Sequence, residues 1–257
     1  MACPRCGPAP PARMLYFAST SSDLDDLDAH PDIGVMTGPR VGGLGSILTS
    51  QRPWASDCDA LSKHGFHYDE FVEHLRRVHD PELIARCQFV VVPDVPGCGR
   101  STLAAFHAAA PELAELGFPL AYCLQDGAEE LELPPCDVAF LGGSDPWREA
   151  VGAALLERAA DQGLRTHVGR VNSARRVRHL SFCHCDSVDG TYVGFRGVER
   201  GAREIGSWLR GAADEKLLGA ADLRAMTLDP ARVARWRERR RPAPRWGEMQ
   251  PGTERLF

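Results

Sequence analysis

The chain has 257 residues, of which 44% are hydrophobic, and 30 Lys and Arg against 35 Asp and Glu give a formal net charge of −5. This composition is ordinary for a globular protein and excludes wholesale disorder, a collagen-like chain and a coiled coil. No apolar run approaches the ~20 residues of a membrane-spanning helix, and the first residues lack the apolar stretch of a secretory signal. We therefore expect a cytoplasmic protein without membrane contact, and its acidity argues against coating nucleic acid through bulk positive charge.

The nine cysteines do not suggest a disulfide framework, because no secretory signal accompanies them. Three of them lie in or beside apolar strand-like runs and are interpreted as small buried hydrophobes: Cys87, Cys123 and Cys136. Cys3 and Cys6 form one CxxC, which is half of a zinc site, but the spacing to Cys183-His184-Cys185 fits no standard zinc finger. We therefore expect no bound metal, zinc included.

From residue 14 onward, short apolar runs alternate with amphipathic stretches. The strand-like runs number eight and lie at residues 15–19, 34–37, 54–57, 89–94, 120–126, 138–144, 166–170 and 187–190. Helical periodicity occurs at residues 69–78, 101–116, 147–162, 173–179 and 202–209. Ser101 and Ser173 are predicted to cap helix N-termini, and Gly117 and Gly163 are predicted to end helices.

This alternation predicts βαβ units and a parallel sheet, and eight units predict a compact (β/α)8 barrel of the TIM type over residues 14–212. A doubly wound sheet is the main rival, although no G-x-G-x-x-G follows the first strand to mark a dinucleotide site. Residues 1–13 are predicted to be a disordered Pro-rich leader, with Met14 as an alternative start. Residues 213–257 are predicted to be a helical, Arg-rich extension, which is either solvated or an arm that contacts phosphates.

Polar or glycine residues end most of the strand-like runs. Runs three to eight end, in order, at Asp57, Asp94, Gln125-Asp126, Gly142-Gly143-Ser144, Gly169-Arg170 and Asp189-Gly190. The C-terminal strand ends of a barrel converge on one face, and catalytic residues come from several strands there. The pattern therefore predicts an active site, although a single Asp at a strand end often only caps a turn or helix.

Converging carboxylates suit glycosidic chemistry, in which one attacks the anomeric carbon and another moves protons, or they could hold Mg²⁺. The amide of Gln125 and the backbone at Gly142-Gly143 favour the edge of a planar nucleobase over a hard cation. His167 is either a proton shuttle or a hydrogen-bonded structural histidine. A cluster after run seven is interpreted either as nucleic-acid backbone contacts or as a charged helix face: Arg170, Arg175, Arg176 and Arg178.

The order of these motifs resembles the guanine transglycosylase superfamily, the queuine tRNA-ribosyltransferases and their DNA-acting relatives, the DpdA proteins of 7-deazaguanine DNA modification. The resemblance covers about residues 14–210 and rests on Trp54-Ala-Ser-Asp57, Val92-Pro-Asp94, Leu124-Gln125-Asp126-Gly127, Phe140-Leu-Gly-Gly-Ser144, His167-Val-Gly-Arg-Val-Asn172 and Asp186-Ser-Val-Asp189-Gly-Thr191. The segments GRVNS and DSVDGT are more similar to the DNA-acting branch than to the tRNA enzymes.

The resemblance implies a (β/α)8 barrel in which Asp189 is the nucleophile and Asp57 the general acid/base. It also implies that Asp94, Gln125 and Gly143 bind the base. We add their neighbours to the predicted base-binding set: Asp126, Gly142 and Ser144.

Two departures from the family pattern bear on whether the substrate is DNA or tRNA. No cysteine follows Cys185, so the zinc subdomain of the tRNA enzymes is not expected, and Cys58-Asp59-Ala60 replaces the usual Ser-Gly-Gly-Phe. The resemblance then implies exchange of guanine in DNA for a 7-deazaguanine, with 7-cyano-7-deazaguanine as co-substrate and no other cofactor. The alternatives are the same exchange on tRNA, a base hydrolase, and a non-catalytic nucleic-acid-binding barrel. A homodimer, or partner proteins of a modification system, stays open.

Overall fold

The computed structural model describes residues 13–19, 30–40, 42–62 and 65–217. Eight parallel strands pair in chain order and close into a barrel, because the last strand pairs with the first. The strands are β1 (Leu15–Ser19), β2 (Ile33–Thr37), β3 (Trp54–Ser56), β4 (Cys87–Val91), β5 (Leu120–Leu124), β6 (Val138–Leu141), β7 (Arg165–Val168) and β8 (Ser187–Gly190). The predicted (β/α)8 fold is thereby confirmed.

Helices follow most of the strands and cover the outside of the barrel. They are α1 (Leu44–Thr49), α2 (Tyr68–Arg77), α3 (Pro81–Arg86), α4 (Gly99–Ala114), α5 (Asp145–Asp161), α6 (Ala174–Leu180), α7 (Tyr192–Arg196) and α8 (Val198–Leu217). A single 3₁₀ turn, Ala128–Glu130, lies between β5 and β6. None of the described helices is long and apolar enough to cross a membrane.

Side chains cap the starts of α3, α4 and α6, and the cap of α4 corrects the sequence analysis. The side chain of Ser173 accepts a hydrogen bond from the Arg176 N–H and caps α6, as predicted. The predicted cap Ser101 is wrong, because α4 begins earlier and the thiol of Cys98 accepts from the Ser101 N–H. The short helix α3 was not predicted, although the Asp80 cap and Pro81 at its first position are typical start signals.

The centre of the barrel is an aromatic layer just below the C-terminal strand ends. Side chains alternate between the inside and the outside of each strand, so Phe17, Phe89, Phe140 and His167 meet on the axis. Phe17 and Phe89 pack edge to face with ring centroids 5.7 Å apart. The His167 ring centroid lies 4.6 Å from that of Phe140 and 4.7 Å from that of Phe89. This layer supports the residues at the barrel mouth.

Parts of the predicted end segments lie outside the described residues. Of the expected leader, only Arg13 is described, and of the expected C-terminal extension only residues 213–217 are described. Those five residues continue α8 without a break, so the helix passes the expected boundary at residue 212. The Arg-rich stretch at 232–245 and the pair Cys3 and Cys6 also lie outside the described residues.

Candidate active site

The polar residues that end the strands gather at one mouth of the barrel. Asp57 directly follows β3, Gln125 follows β5, Gly142 follows β6, and Asp189 is the third residue of β8. Because all strands are parallel and the barrel is closed, these positions share its C-terminal face. The structure therefore brings together the predicted catalytic and base-binding residues.

Asp94 and Gln125 are joined by a direct hydrogen bond inside this mouth. Gln125 Nε2 donates to Asp94 Oδ2 over 2.5 Å, and both side chains are buried. Gln125 Oε1 accepts from the backbone N–H of Gly97 at 2.9 Å and of Gly143 at 3.0 Å. These three bonds fix the direction of the amide and tie the loops after β4 and β6 to the end of β5.

Two thiols share the surroundings of Asp94. The Cys58 thiol donates to Asp94 Oδ1 at 3.3 Å, and Cys123 Sγ lies 3.4 Å from Gln125 Nε2. Burial raises the pKa of Asp94, while hydrogen bonds from Cys58 and Gln125 partly oppose this. Burial and the nearby Asp94 carboxyl raise the pKa of both thiols, so both stay protonated. Cys123 thus lines the site in addition to packing in the core.

Asp57 sits among other carboxyl groups. Burial, followed by the charges of Asp94, Asp59 and Asp189, raises its pKa to about 7. Its Oδ1 accepts a 3.3 Å hydrogen bond from the Asp59 N–H. Asp59 in turn accepts from the Arg40 N–H at 2.8 Å and adopts a left-handed backbone conformation with φ 62°. A carboxyl group with a pKa near neutrality can both donate and accept a proton at physiological pH.

Asp189 is held by the layer beneath it. Its Oδ1 lies 3.0 Å from His167 Nε2, and His167 Nδ1 lies 2.8 Å from Ser187 Oγ. The main-chain carbonyl of Asp189 accepts from the Val171 N–H at 2.6 Å. Burial lowers the pKa of His167, although Asp189 partly offsets this, so the imidazole is neutral at pH 7.

The two glycines after β6 are required by close approach. A Cβ on Gly142 would lie 2.7 Å from Cys123 Sγ, and a Cβ on Gly143 would lie 2.3 Å from the Trp147 ring. Gly143 also has φ +65°, in the left-handed region that favours glycine. These two residues let the backbone run directly beside Gln125.

Asp126 and Ser144 were predicted to bind the base, and the structure pairs them with each other. Asp126 Oδ1 accepts from the Ser144 N–H at 2.7 Å, and Oδ2 accepts from the Ser144 hydroxyl at 2.8 Å. Because Ser144 precedes the first residue of α5, this pair fixes the start of that helix. A base-binding role for the pair stays a prediction.

The four predicted backbone-contact arginines fall into two groups. Arg170 donates to the Gly143 carbonyl, and Arg176 donates to the Arg170 carbonyl at 3.3 Å and lies 3.7 Å from Asp145. Arg175 and Arg178 are exposed on α6. Arg170 and Arg176 thus shape the mouth, whereas Arg175 and Arg178 face solvent.

Sequence reasoning missed several members of the site. It assigned no role to Cys58 and Asp59, which directly follow Asp57, and it left the partner of His167 unknown. The place of Cys123 in the site could have been predicted, because it lies two residues before Gln125 and residues two apart in a strand share a face. The hydrogen-bond partner of His167 could not be predicted from the sequence, because the bond to Asp189 joins two different strands.

The cysteines near β8 do not form a recognisable metal centre with their neighbours. Cys183 lies 3.6 Å from His179 Nε2, and the Cys185 thiol donates to the Ser187 carbonyl at 3.2 Å. Within the described ranges, no group of three or more His, Cys, Asp or Glu side chains is placed to hold a metal ion.

Comparison with known proteins identifies the fold and no more. No protein-family model and no curated protein matches the chain. The alpha subunit of tryptophan synthase from Legionella pneumophila str. Paris is 11% identical with a TM-score of 0.50, over 79% of this chain and 93% of that one. A cube-shaped, highly porous protein cage, designed by fusing symmetric oligomeric domains, is 13% identical with a TM-score of 0.50, over 89% of this chain and 83% of that one. The likeness to the tryptophan synthase subunit agrees with the closed (β/α)8 barrel and shows the fold alone.

Proposed function

We propose that the protein is a pentosyltransferase that exchanges guanine in DNA for a 7-deazaguanine base, most simply 7-cyano-7-deazaguanine. One observation carries the proposal. Asp57, whose pKa is raised to about 7, stands at the same barrel mouth as Asp189, and the charge of Asp189 contributes to that raised pKa. Two carboxyl groups with different surroundings suit a division of labour between a nucleophile and a proton carrier.

In the first step, an oxygen of the Asp189 carboxylate attacks C1′ of the target deoxyribose. The bond from C1′ to N9 of guanine breaks, and its electron pair stays on the base, which takes a proton from the carboxyl group of Asp57. The products are a glycosyl ester on Asp189 and free guanine.

In the second step, the carboxylate of Asp57 removes the proton from the ring nitrogen of the incoming 7-deazaguanine. That nitrogen attacks C1′, the ester bond breaks, and Asp189 is regenerated as a carboxylate. Two displacements retain the configuration at C1′, and the sequence consumes neither ATP nor a redox cofactor.

Asp94 is suited to bind the guanine edge, which presents N–H donors at N1 and N2. Its Oδ2 accepts from Gln125, while its Oδ1 accepts from the Cys58 thiol at 3.3 Å. A thiol is a weak donor, so an N–H of the base can replace it with a net gain in hydrogen-bond energy. Gln125 then sets the position of Asp94.

DNA is favoured over tRNA by the resemblance of the GRVNS and DSVDGT segments to the DNA-acting branch. The reacting C1′ must reach Asp189 at the barrel mouth, so the target nucleotide has to leave the duplex stack or lie in a single strand. Arg175 and Arg178 are exposed on α6, next to the loop after β7. In the proposed complex they contact phosphates beside a flipped nucleotide.

The test is incorporation of radiolabelled guanine into polymer by the purified protein, with DNA and tRNA in parallel reactions. We expect label in DNA, none in tRNA, and none in either with Asp189→Asn, which should keep the thermal stability of the wild type. Label in tRNA alone would indicate the same base exchange with tRNA, and not DNA, as the substrate. Release of guanine without incorporation would indicate a hydrolase, and binding of DNA with neither reaction would indicate a non-catalytic barrel.

A further inference from the structure

We propose that His167 is a positioning residue for Asp189: its Nε2–H holds Oδ1 and leaves Oδ2 as the attacking oxygen. This inference rests on the proposed function, since it concerns the same nucleophile. It adds a role that the motif resemblance does not supply, because the resemblance assigns Asp189 and leaves His167 without a function.

The hydrogen bonds form a short chain through the barrel centre. Ser187 Oγ lies 2.8 Å from His167 Nδ1, and His167 Nε2 lies 3.0 Å from Asp189 Oδ1. Ser187 and Asp189 are two residues apart on β8, so both point inward, and His167 faces them from the neighbouring strand β7. Within the part of the chain that the structure describes, Oδ2 of Asp189 accepts no hydrogen bond from protein.

The imidazole has little freedom to turn away from Asp189. It is fully buried, and three aromatic rings surround it, with centroid distances of 4.6 Å to Phe140, 4.7 Å to Phe89 and 5.9 Å to Phe17. By contrast, the Asp189 side chain keeps 13% of its surface exposed, toward the mouth. The rigid imidazole of His167 lies below the carboxylate of Asp189. This arrangement preorganises a nucleophile.

The protons available to the hydrogen bonds from Ser187 through His167 to Asp189 are consistent with one tautomer of His167. A neutral imidazole carries one N–H, and a carboxylate can only accept, so Nε2 carries the proton toward Asp189. Nδ1 is then an acceptor, and the Ser187 hydroxyl donates to it at 2.8 Å in preference to the Thr166 carbonyl, which lies 3.5 Å away. Among the described residues, the Asp189 charge also acts on Asp57 on the β3 side and on the neutral phenol of Tyr16 on β1. The Asp189 carboxylate therefore fixes the tautomer, and the Ser187 hydroxyl, which can donate or accept, matches it.

The experiment combines NMR on the wild type and one variant with kinetics on two further variants. Nitrogen NMR of histidine-labelled wild-type protein at pH 7 should show a proton on Nε2 of His167, and Ser187→Ala should broaden or shift that signal. His167→Phe fits the aromatic layer but cannot donate. His167→Gln can donate through its amide and accept from Ser187.

For the exchange reaction, His167→Phe should lower kcat about 10- to 100-fold, the usual effect of removing a residue that orients a reactive group, with KM unchanged. His167→Gln should recover most of that loss. An unprotonated Nε2 in the wild type, an unchanged kcat in His167→Phe, a change in KM alone, or a Gln variant as slow as the Phe variant would each overturn the proposal. If the wild type exchanges no base on DNA or tRNA, the proposed function fails, and the NMR measurement alone decides whether His167 holds Asp189.

Discussion

Gln125 Nε2 donates a 2.5 Å hydrogen bond to Asp94 Oδ2, and both side chains are buried. The same amide accepts from the backbone of Gly97 and Gly143. A single glutamine therefore joins the ends of three consecutive strands of the barrel. Because buried polar networks are costly when one member is lost, the pair should be sensitive to small chemical changes.

Gln125→Glu should destabilise the protein by about 2–4 kcal/mol at pH 8, because it removes the donor to Asp94 and places a second carboxyl group beside it. The loss should shrink at pH 5, where the pair can share a proton. Urea unfolding at both pH values measures this. The matched control is Gln162→Glu, the same change at an exposed residue that follows α5, which should alter stability by a few tenths of a kcal/mol.

Asp57→Asn should make the protein more stable than the wild type at alkaline pH. The folded pKa of about 7 exceeds the unfolded value of 3.8, so the native state holds an extra proton between these values. Stability from that proton is complete below pH 4 and is lost as pH rises through 7, a difference on the order of 4 kcal/mol at most.

The free energy of unfolding of Asp57→Asn, relative to wild type, should therefore rise between pH 5 and pH 8. Asp161→Asn, at the exposed end of α5, serves as the control and should show no such rise. A stability difference for Asp57→Asn that stays constant over this range would show that the carboxyl group is not strained by its surroundings.

Gly143→Ala should destabilise the protein by about 1–3 kcal/mol, since alanine is strained at φ +65° and its Cβ would lie 2.3 Å from the Trp147 ring. Gly211→Ala is the matched control: this glycine lies in α8, and a Cβ there meets nothing within 4 Å. We expect the control to gain about 0.5–1 kcal/mol. Thermal unfolding of both variants measures the contrast, and equal effects would contradict the argument from close approach.

Arg175→Ala and Arg178→Ala should each weaken binding to duplex DNA and reduce the slope of log K against log salt by about 1, if each residue contacts one phosphate. Fluorescence anisotropy over a salt series measures that slope. Arg77→Ala, an exposed arginine of α2, should leave the slope unchanged. Slopes that do not differ from wild type in the two α6 variants would remove this face from the DNA-binding surface.

Much of the fold could be predicted from the sequence, because the apolar runs and the turn residues indicate the same strand boundaries. The runs at 15–19 and 187–190 coincide with β1 and β8, since each is a short run bounded by clear breaks in the apolar pattern. The start of α8 was placed four residues too late, at 202 instead of 198, because Glu199 and Arg200 hide the apolar face of its first turn. The short helix α1 has too few apolar positions to show a period.

The membership of the site was easier to predict than its internal bonds. Asp57, Asp94 and Asp189 each end a run, and a parallel barrel gathers such ends at one face. The bonds from Gln125 to Asp94 and from His167 to Asp189 join residues 31 and 22 positions apart. Only the closed arrangement of the strands, which no local pattern encodes, decides those pairs.

The proposed mechanism is tested most directly by detecting the covalent intermediate on Asp189. Protein mixed with a guanine-containing DNA oligonucleotide, without added base, is denatured in acid and analysed by mass spectrometry with peptide mapping. The proposed mechanism predicts an adduct of the oligonucleotide lacking one guanine on the peptide that holds Asp189, free guanine in solution, and no adduct with Asp189→Asn. An adduct on another residue, base exchange without any adduct, or neither adduct nor exchange on DNA and tRNA would contradict it.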